Sequence, residues 1–101
     1  MKTLLNLTFA ALLMGLAPLS FAGDAAAGKA KSVTCAGCHG TNGISNNPMW
    51  PNLAGQKQAY LASSLQMYRD GRRKNAMMSA MAKNLTDADI ANLAAYYSSL
   101  K

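Results

Sequence analysis

A single short motif holds every cysteine and histidine of this 101-residue chain. It reads Cys35-Ala36-Gly37-Cys38-His39, and this spacing is typical of the covalent attachment of a c-type haem. Two thiols three residues apart can each form a thioether with one vinyl group of a porphyrin, and the next residue then offers a nitrogen to the iron. We therefore predict one covalent haem c, attached at Cys35 and Cys38, with His39 as an axial iron ligand.

Other uses of this motif fit the chain less well. A structural zinc site needs four N or S ligands, whereas the motif supplies at most three and crowds them into one turn. A thioredoxin-like Cys-x-x-Cys lies between a strand and a helix, and almost nothing in this sequence alternates as a strand does. A disulfide across two intervening residues would close too short a loop to stabilise the chain much.

The N-terminus predicts export. Lys2 supplies a positive charge, residues 4–19 are mostly apolar, and small residues stand where a signal peptidase cleaves. Pro18 and two polar residues interrupt the apolar run, which is also shorter than the roughly 20 residues that span a bilayer. A retained membrane anchor is therefore the poorer interpretation. We predict a cleaved secretory signal peptide over residues 1–22 and a soluble periplasmic domain over residues 23–101, with no stable membrane insertion.

The predicted domain is small and favours helices. A chain of this size buries only about 60% of its unfolded surface and is marginal without further support, which a covalent haem would supply. Ala is abundant while Val and Ile are scarce, and this composition favours helix over strand. We therefore predict an all-α fold whose stability depends on its cofactor.

Three segments have the pattern of helices, namely residues 24–33, 56–70 and 86–100. The last begins with a capping-box-like Thr-x-x-Asp and continues with apolar residues at helical spacing. Residues 40–55 are rich in Gly, Asn and Pro, so we predict a loop there. The stripe expected on the second helix consists of Tyr60, Leu61, Leu65 and Tyr68.

These features occur in a characteristic order. The haem motif and its following Gly40 precede Pro-Asn-Leu-Ala-Gly-Gln at 51–56, a methionine-bearing loop, Leu-Thr-Asp at 85–87 and Leu-Ala-Ala-Tyr-Tyr at 93–97. In this order the chain resembles the small bacterial class I cytochromes c and is similar to one half of their dihaem members. The resemblance implies the class I cytochrome c fold, with three main short helices and loops wrapped around one covalently bound haem.

The resemblance also implies roles for individual residues. The carbonyl of Pro51 is expected to accept a hydrogen bond from His39 Nδ1, which would orient the ligand ring and raise its basicity. The first helix is expected to cross the last at Gly28 and at Tyr97 or its neighbours. The second axial ligand is expected to be a methionine in the loop before the last helix.

Three methionines compete for that position, because Met77, Met78 and Met81 all lie in the predicted loop. Met78 has the distance to the last helix that is usual in the family, so it is the predicted iron ligand and Met77 is the main alternative. The others would fill gaps beside the haem, a packing role that suits methionine. Remote candidates are Met49 and Met67.

The predicted ligand set indicates a function. A haem iron with two protein ligands transfers electrons, whereas catalysis on a small molecule needs an open position. The resemblance implies a periplasmic one-electron carrier that shuttles between respiratory partners and is not an enzyme. Two alternatives stay open. One is a haem-based ligand-binding or peroxidase-type protein with a labile methionine, and the other is an electron-entry subunit of a larger redox complex.

The charge of the chain indicates its partners. The formal net charge is +6, or +5 without Lys2, and two ionised propionates would bring it to about +3. We expect a monomer that docks on acidic surfaces of redox proteins and does not bind nucleic acid.

A basic cluster, Arg69, Arg72, Arg73 and Lys74, follows the second helix. It could pair with propionates through Arg72 or Arg73, dock a partner, or simply be a solvated helix end favoured by the helix dipole. Trp50 could donate to a propionate or pack against the haem.

Overall fold

A computed structural model describes residues 23–101 of the chain. The predicted signal peptide lies outside the described residues, so its cleavage stays a prediction. Between residues 23 and 101 the regular structure consists of helices without strands, as the all-α prediction requires. No helix in this part of the chain is long and apolar enough to cross a membrane.

Five helices follow one another in the described chain. They are α1 (Ala25–Lys31), α2 (Val33–His39), α3 (Gln58–Asp70), α4 (Ala76–Ala82) and α5 (Asp87–Ser99). The three predicted helices correspond to α1, α3 and α5. The prediction of one helix through residue 33 was too long, because α1 ends before Ser32, where the chain turns, and α2 begins separately.

The predicted methionine-bearing loop is also helical, so that expectation was wrong. The helix α4 carries all three methionines, and its residues are Ala, Met and one Ser, of which Ala and Met are strong helix formers. The side chain of Asn75 caps it, with Oδ1 accepting from the backbone N–H of Met77 at 3.1 Å and of Met78 at 3.0 Å. A seven-residue helix depends heavily on such a cap, because few of its backbone bonds are internal.

The crossing of α1 and α5 is the tightest contact between helices. A Cβ atom on Gly28 would lie 1.9 Å from the backbone oxygen of Asn92 and 2.8 Å from Cβ of Tyr96. Only a glycine allows this approach, which confirms the expected crossing point next to Tyr97. The N-terminal end of α1 is also held against α5, since Asn92 Oδ1 accepts a hydrogen bond from the backbone N–H of Asp24 at 2.7 Å.

The core lies between α3 and α5. Ile90 and Leu93 of α5 are both only 1% exposed, and Leu93 forms one hydrophobic cluster with Leu61 of α3. Tyr60 was wrongly placed on the buried stripe of α3, because its side chain is 51% exposed. Neighbouring residues point in directions about 100° apart on a helix, so the stripe that includes Leu61 cannot also bury Tyr60. The remaining members of the stripe, Leu65 and Tyr68, are half-buried.

The long loop between α2 and α3 is held against α5 by backbone contacts. The carbonyl of Gly43 accepts from the N–H groups of Leu53 at 2.8 Å and Ala54 at 3.1 Å. Gly43 has a φ of +76°, and a Cβ there would lie 2.9 Å from the nitrogen of Ala54. At the end of the loop, Gly55 N–H donates to the carbonyl of Tyr97 at 2.9 Å. These bonds close the loop so that residue 51 faces α2.

Candidate haem site

The two thiols of the haem motif lie on one helix. Cys35 and Cys38 are both in α2, both half-buried and both unpaired as free cysteines. Residues three apart on a helix are neighbours on one face, so both thiols can reach one edge of a flat group. Cys35 also packs against the hydrophobic core cluster, which connects the attachment helix directly to α5.

Burial shifts the protonation of two groups beside the haem motif. Burial raises the pKa of the Cys35 thiol, and a hydrogen bond from Thr34 opposes this shift only in part. Burial likewise raises the pKa of Tyr97, whose hydroxyl interacts with Ser32 and Cys35. Both groups are therefore uncharged at neutral pH, and the wall between α2 and α5 suits a largely apolar ligand.

The histidine of the motif is buried and oriented. His39 is only 6% exposed, and its Nδ1 lies 2.8 Å from the carbonyl oxygen of Pro51. A neutral imidazole that donates from Nδ1 keeps the lone pair on Nε2 for a metal. The contact expected between Pro51 and His39 is therefore present, whereas the bond to iron stays a prediction.

The methionines of α4 differ in exposure. Met77 is 54% exposed and Met81 is 48% exposed, whereas Met78 between them is half-buried. A ligand enclosed by the domain must point inward, so this pattern favours Met78. The remote candidates differ in the same way, since Met49 is 82% exposed and Met67 is half-buried on α3.

The donors present fit a haem and do not fit a bare metal ion. No group of three or more His, Cys, Asp or Glu side chains among residues 23–101 is arranged to hold a metal. One imidazole with a free Nε2, two neighbouring thiols and a set of thioether sulfurs match the covalent and axial bonds of a c-type haem. The residues therefore fit this group.

The basic cluster is largely committed to contacts within the protein. Arg69 pairs with Asp87 at 2.7 Å, Arg72 pairs with Asp70 at 3.2 Å, and the Arg73 guanidinium lies 4.6 Å from the ring centre of Tyr68. Lys74, the last member of the cluster, is exposed. Arg72 and Arg73 are both exposed as well, so propionate pairing by either stays a prediction.

Trp50 stands beside the haem motif. The indole is half-buried and borders, with Cys38 and Asn47, a cleft of about 100 Å³. Its two predicted roles, hydrogen bonding to a propionate and packing, both fit this position.

Sequence reasoning missed two contacts that position the site. One is the cap that Asn75 gives to α4, and an Asn just before a run of helix formers is a signal that could have revealed it. The other is the contact of Arg69 with the carbonyl of Leu85 at 3.2 Å. No local pattern predicts that contact, because the two residues belong to different elements.

Comparison with known proteins identifies the family. The model of the cytochrome c family matches residues 25–101. The chain is 57% identical over 81 residues to cytochrome c-554(548) of Halomonas halodenitrificans, covering 77% of this chain and 98% of that protein. It is 46% identical over 77 residues to a thiosulfate dehydrogenase electron acceptor of Thiomonas intermedia strain K12, covering 75% of this chain and 36% of that protein.

A solved structure agrees with this match. Reduced recombinant cytochrome c4 from Pseudomonas stutzeri superposes with a TM-score of 0.75 at 42% identity, covering 79% of this chain and 47% of that chain. The chain thus spans about half the length of this relative, as the resemblance to one half of a dihaem protein implied. The helical fold, the haem motif and the family match lead to one conclusion: the chain belongs to the cytochrome c family and carries one covalently bound haem c.

Proposed function

We propose that this protein is a periplasmic one-electron carrier whose haem is attached at Cys35 and Cys38 and ligated by His39 and Met78. Its membership of the cytochrome c family supports electron transfer. The observation that carries the ligand assignment is burial, since His39 is 6% exposed and Met78 is the least exposed methionine of α4.

His39 and Pro51 form the fixed side of the site. The Nδ1–H donates to the Pro51 carbonyl at 2.8 Å, which selects one tautomer and holds the ring in one orientation. A haem bound there supplies a one-electron ferric/ferrous couple. The protein's part is to keep Nε2 aimed at the iron in both oxidation states, so that little rearrangement accompanies electron transfer.

Met78 of α4 would supply the second protein ligand. A thioether ligand favours ferrous iron and raises the reduction potential, and it also occupies the position at which dioxygen or peroxide would bind. A site closed on both faces serves electron transfer and is poorly suited to catalysis. For this reason we propose a carrier and not an enzyme or a gas sensor.

An optical spectrum tests this assignment. Protein made in a host with haem-maturation machinery should show narrow reduced bands and, when oxidised, a weak far-red band from methionine on iron. Met78→Ala should abolish the far-red band, lower the reduction potential and allow carbon monoxide to bind the ferrous protein, because axial ligands tune the potential within a range of about 0.8 V.

Two control variants make the test specific. Met77→Ala and Met81→Ala remove more exposed thioethers of the same helix and should keep the wild-type spectrum. Loss of the band in Met77→Ala alone would transfer the ligand role to Met77. A high-spin wild-type spectrum would favour the ligand-binding alternative.

The basic charge supports transient docking on acidic redox partners. All four aspartates of the chain make hydrogen bonds or ion pairs within the protein, whereas Lys74 projects from an exposed turn. Electrostatic steering raises association rates and weakens as added salt shortens the Debye length. The bimolecular electron-transfer rate with an acidic partner should therefore fall with salt and fall further in Lys74→Glu. A rate unaffected by both changes would contradict docking at this cluster.

A second candidate function is favoured by one relative. The Thiomonas intermedia protein is named as a thiosulfate dehydrogenase electron acceptor, and a similar role as the electron-entry subunit of a dehydrogenase is the second candidate for this chain. Stoichiometric copurification with a dehydrogenase at physiological salt would support this candidate. Purification as a free monomer would support the diffusing carrier.

A further inference from the structure

The side chain of Arg69 joins two helices around the methionine-bearing segment. Its Nη1 donates to the backbone carbonyl of Leu85 at 3.2 Å and to Oδ1 of Asp87 at 2.7 Å. Arg69 is in the last turn of α3, whereas Leu85 and Asp87 flank the N-cap of α5. One guanidinium therefore holds together the two ends of the segment that contains α4.

That segment has few other supports. The helix α4 packs mainly against α3, and Ala82 is its only fully buried residue. The Asn75 cap fixes its first turn, and the bond from Leu85 N–H to the carbonyl of Ala82 at 3.0 Å fixes its end. A segment with little buried surface opens locally at a low cost in free energy. A side chain that bonds the two ends of such a segment to each other therefore contributes a large share of what keeps it closed.

The contact with Leu85 distinguishes Arg69 from its basic neighbours. Its side chain is 23% exposed, whereas that of Arg72, which pairs with Asp70 next to it in sequence, is 62% exposed. An exposed ion pair contributes little, and Asp87 is itself 87% exposed. A charge-assisted hydrogen bond from a half-buried side chain to a backbone carbonyl contributes more.

From these contacts we propose that Arg69 is a positioning residue for Met78. By tying α3 to the start of α5, it keeps the segment of residues 70–86 closed and determines how readily the methionine leaves the iron. This inference rests on the proposed ligand role of Met78. It concerns the opening of the segment and not the stability of the core between α3 and α5.

Imidazole binding to the oxidised holoprotein tests the proposal. Imidazole can take the sixth position only when the methionine has left, so its apparent affinity measures the open fraction. Arg69→Gln should raise that affinity about tenfold and reduce the far-red methionine band, as expected for the loss of one charge-assisted hydrogen bond. Arg72→Gln removes the neighbouring ion pair and should leave the affinity within about twofold of the wild type.

Asp87→Asn provides a second, milder variant in case Arg69→Gln yields too little protein. It removes the exposed ion pair and keeps the bond to Leu85, so its effect should lie between those of Arg72→Gln and Arg69→Gln. Equal imidazole affinities in all three variants and the wild type would overturn the positioning role. The same conclusion follows if Arg69→Gln lowers the midpoint of chemical unfolding and leaves imidazole affinity unchanged.

The wild-type spectrum separates this inference from the proposed function. An oxidised wild type without the far-red band would overturn the ligand assignment and the positioning role together. A wild type that has the band, with Arg69→Gln indistinguishable from it, would overturn the positioning role alone.

Discussion

Two regions of the domain are held in place in different ways. The first, here called the histidine side, is where α1, α2 and the loop of residues 40–55 meet α5; the second, here called the methionine side, is the segment of residues 70–86 with α4. On the histidine side, backbone packs against backbone, as where Gly28 meets Asn92 and where Gly55 N–H donates to the carbonyl of Tyr97. On the methionine side, a short exposed helix is held by side chains, chiefly Asn75 and Arg69. Backbone contacts at glycine leave almost no freedom, whereas each polar side-chain contact contributes only about 1 kcal/mol.

The difference assigns separate roles to the two sides. On the histidine side, the elements pack against α5, whose Ile90 and Leu93 are each 1% exposed. We therefore expect this side to unfold only with the whole domain. The methionine side has the features of a unit that opens locally, namely exposed side chains and few buried contacts. With the proposed ligands, we therefore expect His39 to stay on the iron while Met78 can leave it.

The largest effect should follow from loss of covalent attachment on the histidine side. Cys35→Ser or Cys38→Ser removes one thioether, and most of the holoprotein should be lost, because a domain this small depends on its cofactor to fold. The measurement is haem-stained yield after export. Ala36→Ser, which adds a hydroxyl to the same helix and keeps both thiols, is the control. Extraction of the wild-type haem by acid acetone, which spares thioethers, would contradict attachment.

The second-largest effect should follow from a clash at the backbone contact between Gly28 and Asn92. Gly28→Ala places a Cβ 1.9 Å from the oxygen of Asn92, so α1 and α5 must separate. The free energy of unfolding should fall by about 3 kcal/mol, as for severe overpacking. Gly37→Ala is the matched control, because a Cβ there meets nothing within 4 Å. Equal stability of the two variants in denaturant titrations would mean that the histidine side is less rigid than the contact implies.

A smaller effect is expected when the methionine side is loosened. Asn75→Ala removes the cap of α4. The free energy needed to open this helix locally should therefore fall by about 1 kcal/mol. On heating, the far-red methionine band should therefore disappear at a lower temperature, while the far-UV transition of the whole domain shifts less. Asn84→Ala, at an exposed asparagine after α4, should change neither transition. Parallel shifts of both signals in Asn75→Ala would show that the two sides unfold together.

The smallest effect concerns the junction of the two sides, at the start of α5. A hydrogen bond from the Thr86 backbone N–H lowers the pKa of Asp89. Because the folded pKa is depressed, the stabilisation is present above the unfolded value of about 3.9 and is lost as the pH falls through the folded pKa. The effect should be about 0.5 kcal/mol. In Asp89→Asn, the free energy of unfolding should depend less on pH between about pH 5 and 3 than in the wild type. An unchanged pH dependence would contradict this role of Asp89.

Much of the site was predictable because its determinants are local. The haem motif is five consecutive residues, and its chemistry depends on their spacing along one helix. The capping box of Thr86 and Asp89 was read from the sequence and is present in α5. The contact of Pro51 with His39 was not deducible from local pattern and came from the family resemblance, because twelve residues separate the two groups.

The errors arose where neighbours in space outweigh neighbours in sequence. Tyr60 looked buried because it is aromatic and stands beside Leu61, but the direction of its side chain on α3 leaves it exposed. The methionine segment was expected to be a loop because the family resemblance implies a methionine-bearing loop before the last helix. Its helical state depends on the Asn75 cap and on packing against α3, which together offset the cost of starting a helix of seven residues.

The sequence by itself determined the cofactor, the all-α composition and the approximate positions of the main helices, since covalent spacing, helix propensity and caps act within a few residues. Only the tertiary structure decided which methionine of α4 is least exposed and which arginine of the basic cluster reaches another element. Arg69, Arg72 and Arg73 are similar in sequence context, but just one of them lies where α3 meets the start of α5. That distinction depends on how the helices cross, and local sequence carries little information about crossing geometry.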